Sequence, residues 1–158
     1  MTDSMFKKIV SGGQTGVDRA ALDVALELAL PCGGWCPRGR KAEDGVLPAR
    51  YPLEETATDA YAERTERNVL ESDGTLTLLR GQASGGTRLT IELAKQYGKP
   101  CLVIDLDLDA SPAIIRGWIA ENRIRTLNVA GPRQSQAPGI YDQARALLRR
   151  ILNHEATV

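Results

Sequence analysis

Ile9-Val10-Ser11-Gly12-Gly13-Gln14-Thr15-Gly16-Val17-Asp18-Arg19-Ala20-Ala21-Leu22 is the stretch that decides the fold. A short apolar strand runs into a glycine-rich turn, and the turn opens directly onto a helix. Glycine permits the tight turn and a close backbone approach. The helix start contributes unpaired N–H groups and the positive end of the dipole. Together these predict an anion site over Ser11, Gly12, Gly13, Gln14, Thr15, Gly16, Val17 and Asp18, with phosphate the usual occupant. A second turn of the same kind follows at Arg80-Gly81-Gln82-Ala83-Ser84-Gly85-Gly86-Thr87, where Ser84 and Thr87 add hydroxyls to the donors of Gly85 and Gly86.

Outward from the first turn, Lys7 to Ser11 reads as a strand and Val17 through Ala29 as a helix with Leu22, Ala25, Leu26 and Ala29 at helical spacing. Cys32 to Cys36 reads as a second, glycine-rich strand. A long irregular segment, 37–58, follows and should leave the sheet at the same edge as the two turns, where Arg38, Arg40 and Lys41 can reach an anion. Asp59 to Glu71 reads as a helix bearing Arg64 and Asn68, and Thr75 to Leu79 as a third strand with Arg80 at its exit. Thr87 to Tyr97 reads as a helix ended by Gly98. Cys101 to Leu106 has the pattern of a buried strand, Ser111-Pro112 starts a helix, Ile124 to Ala130 is a fifth strand, and Gly139 to Leu152 closes the chain as a helix.

Five strand–helix alternations predict one α/β domain over residues 1–158, a Rossmann-like, doubly wound and mostly parallel sheet with helices on both faces. The expected strand order is 2-1-3-4-5. That order makes the first and third strands neighbours across the topological switch point, with their glycine turns facing over one crevice.

The 158 residues carry zero formal net charge, with 42% hydrophobic and 4% aromatic content. Such a balance disfavours a broad nucleic-acid surface and leaves few stacking platforms for single strands. No apolar run approaches the roughly 18–20 residues that span a bilayer. Met1 to Lys8 has no signal-peptide pattern, so no membrane association and a cytoplasmic location are expected. Cys32 and Cys36 have ligand-like spacing, but zinc takes four ligands and the one histidine is His154; no metal centre is expected.

Neither turn is the dinucleotide fingerprint GxGxxG, nor a Walker loop with its Lys-Ser/Thr ending. Asp18 either complements the helix dipole or meets a ribose hydroxyl or Mg²⁺. Glu92 and Asp18 are the candidate acid–base groups should a reaction occur, and no Ser-His-Asp or Cys-His set can be assembled. Binding is better supported than catalysis.

Val10–Leu22, the loop Gly34–Gly45, Arg64–Val69, Ser72–Leu76 and Ser84–Thr87 together resemble the bacterial family named putative molybdenum carrier proteins. The similarity runs from Lys7 to Leu152. It implies kinship with a molybdenum-cofactor carrier, which binds a phosphorylated pterin without changing it, and with a wider Rossmann-like group that commonly forms homo-oligomers. That group includes lysine-decarboxylase-like phosphoribohydrolases, whose Pro-Gly-Gly-x-Gly-Thr-x-x-Glu carries a catalytic glutamate, and DNA-processing proteins with a similar first turn. Aligned on Gly86-Thr87, the glutamate position falls on Thr90, and Glu92 lies about 200° further round a helix. The expected ligand is a small phosphorylated, nucleotide-like molecule, such as a nucleotide or molybdenum cofactor; the alternative is a nucleotide-processing hydrolase of phosphoribohydrolase type.

Overall fold

The computed structural model describes residues 7–153, and His154 lies outside them. The elements are β1 (Lys8–Val10), α1 (Val17–Glu27), β2 (Cys32–Gly33), β3 (Trp35–Cys36), β4 (Lys41–Ala42), β5 (Gly45–Val46), β6 (Glu54–Glu55), α2 (Tyr61–Leu70), β7 (Gly74–Leu79), α3 (Gly85–Gln96), β8 (Cys101–Asp105), α4 (Pro112–Glu121), β9 (Thr126–Ala130) and α5 (Ile140–Leu152). The expected second strand breaks at Gly34, where φ is 123° and an added Cβ would sit 2.5 Å from the Ser11 carbonyl oxygen. Only glycine tolerates both conditions. β2 stays with β1, while β3 leaves to pair in parallel with β6.

The main sheet has five strands in the order β2-β1-β9-β7-β8, all parallel. The α/β class is as expected; the order is not. Counted as five sequential strands it reads 2-1-5-3-4, because β9 inserts between β1 and β7. Counted from β7 instead, the same sheet read from its β8 edge is 2-1-3-4-5. The expected arrangement is therefore present with the chain's starting point rotated. This rotation moves the switch point to the boundary between β7 and β9.

α1, α4 and α5 close one face, with Ala20, Val24, Ile115, Ile119, Leu148 and Ile151 packed on Ile9, Leu76, Leu78, Leu127 and Val129. α2 and α3 close the other around Val69, Leu93 and Ala94. On that second face the central strands bury Thr75, Thr77 and Asn128, and Asn128 Nδ2 donates to Thr75 Oγ1 at 3.2 Å. Cys101 to Leu106, whose pattern is that of a buried strand, turns out to be an edge strand, with Val103 43% exposed. The less apolar β7 is buried at every position. Among the described residues no helix is long and apolar enough to cross a membrane.

Candidate functional site

The carboxyl ends of β1, β7 and β9 open on one cleft, at the place where open parallel sheets take ligands. It encloses about 510 Å³ including its open mouth. The first turn contributes Gly12, Gln14 and Asp18, the start of α3 contributes Gly86, Thr87 and Thr90, and α2 contributes Arg64, Thr65 and Asn68. β9 and the loop after it supply Asn128 and Ala130 to Arg133, with Gln136 beyond. Both glycine turns therefore meet, as expected, although β9 stands between their strands. Two arginines and one carboxylate line the space.

The first turn is a closed hydrogen-bonded unit. Ser11 is fully buried; its Oγ donates to the Asp18 carbonyl and accepts from Gly13 N. Gln14 N donates to Asp18 Oδ2 at 3.3 Å, Thr15 N to Gln14 Oε1 at 3.0 Å, and Val17 N to the Pro132 carbonyl at 3.3 Å. Arg64 Nη1 donates to the Gly12 carbonyl at 2.9 Å and to Asp18 Oδ2 at 3.3 Å. A Cβ on Gly12 would lie 2.0 Å from that Nη1, so the missing side chain is what admits the arginine. Burial pushes the Asp18 carboxyl up to about 6 from an ordinary 3.8, against the lowering pull of Arg64 and of the Gln14 N–H. Desolvation outweighs the ion pair here.

The second turn is open. Gly81 N donates to Asp105 Oδ2 at 3.2 Å, which ties the turn to the end of β8. α3 then starts at Gly85 with Ser84 as N-cap residue, and no side chain caps it. The N–H groups of Gly85 and Gly86 have no acceptor among the described residues. A Cβ on either glycine would meet nothing within 4 Å. Thr87 is buried beneath them and faces the cleft. Thr90, at the position matching the hydrolases' glutamate, is also in the cleft, and its Oγ1 donates to the Gly86 carbonyl at 2.9 Å.

The 37–58 segment is docked rather than loose. Arg19 forms two 3.0 Å bonds to Asp44 and a 3.1 Å bond to the Gly13 carbonyl. Glu43 accepts from the Thr15 hydroxyl and from Ser135 N and Oγ, joining this segment to the loop after β9. Partial burial works against the Glu43 charge, but the bonds from Ser135 and Thr15 outweigh it and hold the carboxyl below its usual range. Leu47, Tyr51 and Leu53 pack with Leu22 and Cys36 under the segment.

Of the remaining candidates, Arg64 reaches the cleft, with its Nη1 on Gly12 and Asp18 and its Nε donating to Thr65 Oγ1 at 3.2 Å. Asn68 borders it, but its amide is spent on Trp35, accepting from N at 2.8 Å and donating to O at 3.0 Å. Arg40 donates to the carbonyls of Leu47, Pro48, Tyr51 and Leu53 and so braces its own loop. Lys41 pairs with Asp59 at 3.8 Å, Arg80 donates to the Pro138 carbonyl at 2.6 Å, and Arg38 is exposed; none of the three lines the cleft. Glu92 points to solvent from α3, 3.4 Å from Arg88. Sequence reasoning missed Arg133, Gln136 and Asn128, because β9 was expected at an edge. Among the described residues no cluster of three His, Cys, Asp or Glu side chains is placed to hold a metal ion.

A family model described as "Circularly permutated YpsA SLOG family" matches residues 9–152. Among solved structures, the crystal structure at 1.45 Å of "Putative molybdenum carrier protein" from Syntrophus aciditrophicus SB is similar at 47% identity, covering 94% of this chain and 95% of that chain with a TM-score of 0.90. Comparison with curated proteins gives no match.

Proposed function

This chain belongs to the circularly permutated YpsA SLOG family, and from that membership we propose that it is a carrier or binding protein for a small phosphorylated, nucleotide-like ligand. Molybdenum cofactor is one candidate, the solved relative being named a putative molybdenum carrier protein. The observation that carries the reading is the uncapped start of α3 at Gly85, whose next residue Gly86 lines a cleft that also holds Arg64 and Arg133. Unpaired helix-start amides and the dipole favour a phosphate, and the guanidiniums supply the charge. The first turn then forms the wall on which the rest of the ligand rests. Neither nucleic acid nor a membrane is needed as partner, and self-association into a homo-oligomer belongs to the same proposal.

Native mass spectrometry of the purified protein, followed by denaturing release, tests this. An intact phosphorylated pterin or nucleotide in stoichiometric amount is the expected result. A protein that carries nothing, and that no nucleotide stabilises in a thermal-shift screen, would overturn it.

One observation favours a second reading, a hydrolase acting on nucleotides. Asp18 is a buried cleft carboxyl poised near neutral pH, a state suited to proton transfer. Release of a base plus ribose phosphate, abolished by Asp18→Asn, would put that reading first.

A further inference from the structure

Gln14 is 4% exposed, and its side-chain amide has a fixed orientation. Its Oε1 accepts from Thr15 N at 3.0 Å and from Glu43 N at 2.8 Å. Turning the amide over would face its NH₂ against two N–H donors, so Nε2 must point the other way. That Nε2 is buried and has no partner among the described residues. A buried donor left without an acceptor is costly, and binding sites are where such groups persist. Gln14 lines the cleft beside Asp18, which its own backbone N–H touches at 3.3 Å.

A phosphate is the wrong occupant for this corner. A dianion against the Asp18 carboxylate is repelled, and the start of α3 offers a better place across the cleft. A neutral group that brings an acceptor to Gln14 and a donor to Asp18 satisfies both. Accepting the phosphate reading above, on which this rests, we infer that the Gln14–Asp18 corner is a second subsite that takes the edge of a nitrogen heterocycle carrying an acceptor next to an N–H donor. Purine and pterin rings hold such edges rigidly, whereas a sugar phosphate offers only rotatable hydroxyls. Because Nε2 is shielded from solvent, the ring edge meets it through a small shift of the cleft wall. The corner thus selects a phosphorylated heterocycle over the phosphorylated sugar it contains.

Calorimetric titration with ribose 5-phosphate, inosine 5′-monophosphate and adenosine 5′-monophosphate tests the subsite. At least one nucleotide should bind about tenfold more tightly than ribose 5-phosphate, the margin of one or two buried hydrogen bonds. Gln14→Leu should bring that ratio close to one. Gln14→Glu keeps the acceptor oxygen for Thr15 and Glu43 while removing the donor, and it should narrow the ratio likewise if the leucine variant fails to fold. Equal affinity of all three compounds in the wild type, or a ratio untouched by both variants, would overturn the subsite and leave the phosphate site standing. Absence of binding by all three would overturn the phosphate reading as well.

Discussion

The two glycine turns border one cleft from either side of the β7–β9 boundary, yet they are in opposite chemical states. In the first, the amides of Gly13, Gln14, Thr15 and Val17 are taken by protein acceptors, Ser11 is fully buried, and Asp18 is buried at the cleft wall. In the second, the amides of Gly85 and Gly86 have no acceptor among the described residues, and a Cβ on either would meet nothing within 4 Å. Similar sequence patterns thus end differently: the amides of one turn are met by protein acceptors, with the Gln14 Nε2 left over, while those of the other stand free, as the proposed anion site requires. The difference follows from side chains. Ser11, Gln14 and Asp18 reach back to their own backbone, whereas Ser84-Gly85-Gly86 has little with which to do so. The contrast also fits the rotated strand count, which puts the switch point beside β7 and places the second turn after the first strand of that count.

The contrast makes demands that experiment can break. Changes in the first turn should cost stability, and changes in the second should cost binding. The largest effect concerns Asp18. Its folded-state value, raised to about 6 from 3.8, means that the native state holds this proton more tightly than the unfolded chain. Its contribution is fully present below the ordinary value and is lost as pH rises through about 6, on the order of 3 kcal/mol in all. Urea unfolding at intervals from pH 4 to 7 should show that decline for the wild type, and Asp18→Asn should flatten it.

Gly86→Asp comes next. An acid here has room and complements the dipole of α3, so the unfolding midpoint should hold. Affinity for ribose 5-phosphate should nevertheless fall about 30-fold, or about 2 kcal/mol, because the new carboxylate occupies and repels from the cradle. Ser11→Ala should do the reverse. Loss of two buried hydrogen bonds should lower stability by about 1.5 kcal/mol with little change in phosphate affinity. A serine variant that folds as well as wild type but cannot bind would place the phosphate on the first turn after all. The smallest effect is expected of Glu92→Gln: its exposed pair with Arg88 is worth at most about 0.5 kcal/mol, and neither binding nor any turnover should change.

Much of this architecture is legible in the sequence. The periodicity of α1 and α5, the glycine turns and the five alternations defined an α/β sheet with both turns at one end. Strand order was not legible, because apolarity misleads about position: Cys101 to Leu106 reads as a core strand and lies at the edge, while threonine-rich β7 is central. Nothing local in Ile124 to Ala130 announces that β9 pairs with both β1 and β7. The long-range pairing that rotates the sheet therefore hid Arg133 and Gln136 from view. Arg64 was recognised as a candidate, but its partnership with the Gly12 carbonyl and Asp18 depends on residues 46 to 52 positions away. The basic cluster Arg38, Arg40 and Lys41 illustrates the opposite error, since charge in a long loop can be spent on the loop's own carbonyls, as in Arg40.

The most direct measurement is a titration of isotope-labelled protein with ribose 5-phosphate, followed by amide nuclear magnetic resonance. This ligand has no ring, so it reports the phosphate alone. The resonances of Gly85, Gly86 and Thr87 should move together and saturate, while those of Gly13, Gln14 and Thr15 stay nearly still. Saturating shifts at Gly13 to Thr15 with Gly85 and Gly86 unmoved, or no shift at either turn, would contradict the assignment of the second turn as the anion cradle.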